Sequence, residues 1–119
     1  ITKMKQPSNF NIETFKELIE SLLKENNLNS NSARVKITFF RDSSGYYCPN
    51  ENNTSYIIES HLLNANSYQL DNKGLNISLY KENYIPKGPL SNIKSNNRLI
   101  NVMSSIYARE NNYDDILLI

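Results

Sequence analysis

The stretch Pro89-Leu-Ser-Asn-Ile-Lys94-Ser-Asn-Asn-Arg-Leu99 separates two periodicities in this chain. Before it, apolar and polar residues alternate as they do in β-strands. After it, apolar residues recur at helical spacing from about 96 to 110. The unbroken apolar run 116–119 follows, which is typical of a strand covered on both faces. The stretch therefore predicts a passage from a strand-rich segment into a helix and then a buried strand.

The residues before this stretch predict one helix and a meander of strands. Asn11 is a suitable N-cap for a helix that runs to about Glu25 with one apolar face. Alternating patterns predict strands at about 34–41, 54–63 and 75–80, and Asp42 to Gly45 and Asp71 to Gly74 are typical turns.

The domain prediction rests on an irregular polar run that begins at Lys81. Pro86, Gly88 and Pro89 lie close together there, as in a linker between domains. We predict an α+β fold in which 1–85 form part of a small α+β domain, with a helix and antiparallel strands. Residues 86–119 are then the linker and the start of a second, larger domain. One helix and one strand cannot bury each other, so the last strand either joins the sheet of the first segment or belongs to a domain whose remainder lies outside this chain. The composition of the linker favours the second possibility.

Composition excludes several partners. The chain has 119 residues, a formal net charge of +1 and no run of apolar residues long enough to span a membrane. This balance gives no electrostatic footprint for nucleic acid or an anionic membrane. The single cysteine, Cys48, cannot form an internal disulfide, which favours a reducing, cytoplasmic location.

Lys94 is the strongest candidate for chemistry, because it lies between an extended segment and a predicted helix start. The partial positive charge at a helix N-terminus disfavours a charged ammonium group. A solvated surface lysine is the plain alternative. Arg34 can bind a carboxylate or lie at a strand surface, and Asn97 can order the turn after Lys94 or cap the helix. His61 has no companion at the spacing of metal ligands or a catalytic triad. We expect His61 to be structural or exposed, and Cys48 to be a buried or loop cysteine.

The run Leu90-Ser-Asn-Ile-Lys94-Ser-Asn-Asn97-Arg-Leu99, with Ala108-Arg-Glu-Asn-Asn-Tyr-Asp-Asp-Ile-Leu-Leu, resembles the class IV aminotransferases. These are pyridoxal-phosphate enzymes of fold type IV, and they include branched-chain and D-amino-acid aminotransferases and aminodeoxychorismate lyase. Their pattern has an Ile-Lys pair, an Asn three residues later, a Leu, an Ala- and Glu-rich helix, and an acidic pair before an apolar strand. The strand 33–41 also resembles the last small-domain strands of the family.

The resemblance implies that Lys94 is the catalytic, cofactor-binding lysine, which forms a Schiff base with pyridoxal 5′-phosphate. It also implies amino-acid and 2-oxo-acid substrates and a homodimer, with Arg34 and Arg98 as candidate substrate-binding residues and no metal. The family's phosphate-binding arginine and the glutamate at the pyridine nitrogen have no counterpart here. We therefore expect the intact protein to be the enzyme and these 119 residues alone to be inactive.

Three other functions stay open at this point. Aminodeoxychorismate lyase, which acts in 4-aminobenzoate and folate synthesis, would share Lys94. A family member that keeps only the small domain for dimer contacts is the second. A non-enzymatic α+β interaction module, with a coincidental Lys94 motif, is the third.

Overall fold

The computed structural model describes residues 2–7, 10–64 and 72–119, and these form two compact units, 1–69 and 70–119. A 3₁₀ turn at Thr2–Met4 precedes the longer elements. These are α1 (Ile12–Glu25), β1 (Ala33–Arg41), β2 (Thr54–Leu62), β3 (Ile77–Tyr80), α2 (Leu99–Glu110) and β4 (Asp115–Leu118). The predicted α+β class is confirmed.

Helix α1 has the bounds that its caps predict. The Asn11 side chain accepts a hydrogen bond from the Glu13 backbone N–H at 3.1 Å, which satisfies one of the free donors at the helix start. At the other end Asn27 takes a positive φ of 56°, a conformation that asparagine tolerates better than most residues. The helix therefore ends at Glu25, as its sequence predicts.

The first unit is built on the antiparallel pair β1–β2. The register runs from Ala33 opposite Leu62 to Arg41 opposite Thr54, and Phe39 lies opposite Tyr56. Those two rings meet Phe10 and Phe15 in an aromatic cluster, in which the Phe15 and Tyr56 centroids are 5.0 Å apart. Helix α1 is thereby held against the inner face of the strand pair.

The turn after β1 is confirmed at Gly45. This residue has φ 95°, and a Cβ there would lie 2.3 Å from the Cys48 carbonyl oxygen. Only glycine combines that conformation with so close an approach. A second turn was predicted from Asp71 to Gly74. Its first residue, Asp71, lies outside the described residues. Gly74 has a positive φ of 71°, a conformation that glycine adopts readily.

The second unit is a parallel β3–α2–β4 arrangement. Ile77 lies opposite Asp115 and Tyr80 opposite Leu118. Parallel strands require a long crossover, which α2 and the residues before it provide. The prediction that 75–80 belongs to the strand meander of the first segment was wrong. Alternation of apolar and polar residues identifies a strand, but it does not identify the strand that pairs with it. The helix and β4 find that partner in β3 within the chain.

The core of the second unit is small and centred on Tyr80. Its side chain is 1% exposed, and its ring lies 5.6 Å from that of Tyr107, near-perpendicular to it. Ser104 and Ala108 are the buried residues of α2. The buried positions of α2 therefore hold small residues, and a larger side chain there would need space that the packed unit does not offer.

Burial in this unit differs from what the apolar patterns suggest. The apolar face of α2, which includes Leu99 and Val102, leaves these side chains 68% and 52% exposed, and the buried residues of the helix are Ser104 and Ala108 instead. The run 116–119 is expected to be covered on both faces, and within this chain burial alternates along β4 and Leu117 is 54% exposed. The domain boundary at 85/86 stays a prediction, while the compact units divide between 69 and 70.

We expect Phe15→Ala to lower the free energy of unfolding of the first unit by about 2–3 kcal/mol, because it removes a ring with three aromatic neighbours. Ile12→Ala is the matched control, since Ile12 lies on the same helix and is 69% exposed. Urea unfolding followed by circular dichroism measures both. Equal losses would contradict the described cluster.

We expect Ala108→Leu to destabilise the second unit by about 2 kcal/mol, because the added carbons must be fitted at a buried position that is only 6% exposed. Ser105→Leu adds a similar volume at an exposed position of the same helix and should change stability by less than about 0.5 kcal/mol. Thermal unfolding and the amide exchange rates of β3 distinguish the two. An Ala108→Leu protein as stable as the control would refute the packing.

Candidate functional site

The connection between β3 and α2, residues 81–98, lies at the carboxyl end of the parallel strand pair. The Ile85 N–H donates to the Ile119 carbonyl at 2.9 Å, which joins the connection to the last residue of the chain just beyond β4. In open α/β sheets, ligands bind outside the carboxyl ends of parallel strands. The connection is therefore the place in this unit where a small-molecule site is expected, and it contains Lys94.

Successive tight turns shape the connection around Lys94. Ser91 donates its backbone N–H and its hydroxyl to the Gly88 carbonyl, at 3.1 and 2.7 Å. Ile93 N–H donates to the Leu90 carbonyl at 3.0 Å, and Ser95 N–H to the Ile93 carbonyl at 2.8 Å. The last bond closes a three-residue turn with Lys94 at its centre. The backbone thus fixes Lys94 at the apex of a turn.

The Lys94 side chain is exposed, and it makes no hydrogen bond or ion pair with another residue in the described part of the chain. The predicted helix start at 96 was wrong, because α2 begins at Leu99. Lys94 therefore lies before the first helical turn, where the effect of a helix N-terminus has faded. The Lys94 amine is accessible because the residue lies on an exposed turn, and the helix does not contribute to this accessibility.

Arg98 and Asn97 lie immediately before α2. Arg98 is the N-cap residue, and its carbonyl accepts the Val102 N–H at 3.0 Å, but its side chain makes no capping bond. Capping by Asn97 was therefore wrong. The exposed guanidinium of Arg98 does not cap the helix, and the residue belongs to the same connection as Lys94.

Arg34 lies in the first unit, on the face of β1 that points away from the aromatic cluster. It is exposed and directly opposite His61 on β2. Two residue pairs further along, on the same face, Lys36 donates to Glu59 at 2.9 Å. That hydrogen bond, and then the charge of Lys36, lower the pKa of the Glu59 carboxyl. Of the three predicted residues, Lys94 and Arg98 therefore share one connection, whereas Arg34 belongs to the other unit.

The acidic pair before β4 has a structural role in this fold. Asp114 Oδ2 accepts the Asn76 N–H at 2.8 Å, and the Asp114 N–H donates to the Asn76 carbonyl at 2.8 Å. These bonds join the amino ends of β3 and β4. Sequence reasoning missed this pairing, although a strand-helix-strand order is itself the signal for a parallel unit.

The described residues offer few alternatives to the Lys94 connection as a functional site. Among residues 2–7, 10–64 and 72–119, no group of three His, Cys, Asp or Glu residues can hold a metal ion. Cys48 is exposed and unpaired by any disulfide. Within the same described ranges, no helix is long and apolar enough to cross a lipid bilayer.

The chain belongs to the class IV aminotransferase family, since a family model described as "Amino-transferase class IV" matches residues 2–119. No curated protein and no solved structure matches it. The family is in general dependent on pyridoxal phosphate, with fold type IV, amino-acid substrates and homodimeric assembly. The resemblance inferred from the Lys94 stretch is thereby confirmed at the level of the family.

We expect Lys36→Gln to raise the pKa of Glu59 back towards its ordinary range, because the hydrogen bond and the charge are both removed. A folded-state pKa below the unfolded value stabilises above the unfolded pKa, and that stabilisation is lost as pH falls through the folded pKa. The wild type should therefore exceed the variant in stability near neutral pH and match it in acid. Carboxyl NMR titration and urea midpoints measure this. A Glu59 titration unchanged in the variant would exclude the pairing.

Proposed function

We propose that this chain supplies the lysine-bearing part of a pyridoxal-phosphate-dependent aminotransferase that acts on amino acids and 2-oxo acids. Lys94 is the residue that binds the cofactor. The observation that supports this most strongly is the exposed Lys94 amine at the apex of a hydrogen-bonded turn. That turn lies beyond the carboxyl end of a parallel strand in a chain of the class IV family.

Among the residues of this chain, Lys94 is the one that fits the cofactor. A lysine that holds an aldehyde cofactor needs an accessible amine with no competing ion pair, and Lys94 meets both conditions within the described ranges. Lys94 would hold the aldehyde group of the cofactor through its Nζ, which must be uncharged to do so. When bound, the cofactor supplies an electron sink for carbanion chemistry. The same amine, once released, can carry a proton at the substrate carbon.

The proposal assigns the rest of the active site to elements beyond these 119 residues. It is supported by the second face of the β3–β4 pair, where Ile77 and Leu117 are each 54% exposed. Parallel sheets are normally covered on both faces. In the proposed enzyme, additional strands and helices cover this face and complete the cofactor pocket, and two such chains form a homodimer in the cytoplasm.

Arginines are the proposed contacts for the substrate carboxylate. Arg98 belongs to the connection that carries Lys94, and its side chain makes no capping bond. Arg34 lies on an exposed strand face opposite His61. A guanidinium binds a carboxylate through two parallel hydrogen bonds, which gives both orientation and affinity. We assign a positioning role for substrate to each.

The test is borohydride trapping of pyridoxal 5′-phosphate on the purified protein at its natural length. We expect one reduced adduct, mapped by mass spectrometry to Lys94, together with visible absorption before reduction. Lys94→Ala should abolish both, and transaminase turnover should fall by at least about a thousandfold with it. Lys16→Ala, at an exposed position of α1, is the matched control and should leave both unchanged.

Two results would overturn this proposal. One is an adduct spread over several lysines and undiminished by Lys94→Ala. The other is a protein with no visible absorption on addition of the cofactor. The second result, combined with cooperative unfolding of the chain, would favour a non-enzymatic interaction module.

A further inference from the structure

The connection that carries Lys94 is strongly basic for so neutral a chain. Residues 81–98 contain four cationic side chains and one anionic one, whereas the whole chain has a formal net charge of +1. The four cations are Lys81, Lys87, Lys94 and Arg98, and all are exposed. A surplus concentrated in one connection creates a local positive potential that the overall charge conceals.

The single acidic residue of the connection offsets one of the four cations and makes no ion pair with any of them within the described residues. Glu82 Oε2 accepts a hydrogen bond from the buried Tyr80 hydroxyl at 3.2 Å, and the Asn83 side chain donates to the same hydroxyl at 3.5 Å. The ion pair found among the described residues is Lys36–Glu59, in the other unit. Glu82 is thus engaged with the core of its own unit.

The other acidic residues in the described part of the second unit lie at its opposite end. Glu110 is the last residue of α2, Asp114 precedes β4 and Asp115 is its first residue. The cations of this end are Arg109 and Lys73. In a parallel strand-helix-strand unit, these positions are at the amino ends of the strands, whereas the connection is at the carboxyl end. The unit is therefore polarised, with its positive end around Lys94.

We propose that Lys87 and Arg98 form an anion-binding surface that draws a phosphate monoester to Lys94. This inference rests on the proposed function, since it names the group that the surface takes as the cofactor's phosphate. Arg98 is at most about 14 Å from Lys94 along the backbone, and long side chains shorten that separation further. The surface increases the rate at which the anion reaches the amine, and its effect falls as ionic strength rises.

The decisive comparison is between two double variants that lose the same charge. K87Q/R98Q removes two cations from the connection, and K16Q/K24Q removes two exposed cations from α1. Adduct formation on Lys94 is followed by absorbance at low and high salt, with borohydride trapping to confirm the site. We expect K87Q/R98Q to slow the reaction of pyridoxal 5′-phosphate by about threefold to tenfold at low salt and K16Q/K24Q to leave it unchanged.

Pyridoxal, which lacks the phosphate, separates charge recruitment from a change in the lysine itself. The wild type and K87Q/R98Q should react with it at equal rates. Equal rates of the two double variants with pyridoxal 5′-phosphate would overturn the proposal. So would an equal slowing of pyridoxal by K87Q/R98Q.

Inorganic phosphate provides a readout that needs no covalent step. Titration followed by backbone amide NMR should shift the signals of residues 87 and 98 in the wild type and not in K87Q/R98Q. Absence of that shift refutes the anion surface and leaves Lys94 as the cofactor lysine. A retained phosphate shift without any Lys94 adduct refutes the proposed function and leaves the anion surface.

Discussion

Parallel pairing of β3 with β4 is the constraint on which the second half of this chain depends. Two parallel strands cannot be joined by a tight turn, so the chain must leave the carboxyl end of β3, cross over through α2 and return to the amino end of β4. The long connection 81–98 is the first part of that crossing. Lys94 is displayed at the carboxyl end because the topology requires a connection there.

The contacts that maintain this pairing are few and specific. At the amino ends, Asp114 and Asn76 exchange two hydrogen bonds. At the carboxyl end, the buried Tyr80 ring packs edge-on against Tyr107 of α2, the helix in which Ser104 and Ala108 are also buried. Residues of the family pattern therefore divide into two kinds. Asp114 and Ala108 belong to the scaffold, whereas Lys94 is exposed on a turn.

Much of the fold could be predicted from the sequence where the deciding interactions are local. Asn11 caps α1, and the apolar period of the helix gives its length, so its bounds were predicted closely. Strands β1 and β2 were found from alternation alone. The strand that pairs with β3 could not be predicted in that way. An alternating pattern distinguishes the apolar face of a strand from its polar face, but it does not identify the neighbouring strand.

The same limit explains the errors at the site. Helical spacing predicts one apolar face on α2, yet the residues buried in this fold are Ser104 and Ala108, because the period of a pattern does not reveal what the helix packs against. Lys94 was assigned to a helix start that lies further along, at Leu99. The candidate lysine itself was found from its motif, and its exposure on a turn came only with the structure.

The most direct measurement of this account is the set of nuclear Overhauser contacts made by the backbone of β3. Parallel pairing predicts contacts between Leu79 and the Leu117 region, in the register that pairs Ile77 with Asp115. Antiparallel contacts between β3 and β2, with none to β4, would contradict it. The crossover would then be absent, and the position of Lys94 at the carboxyl end of a parallel pair would have no structural basis.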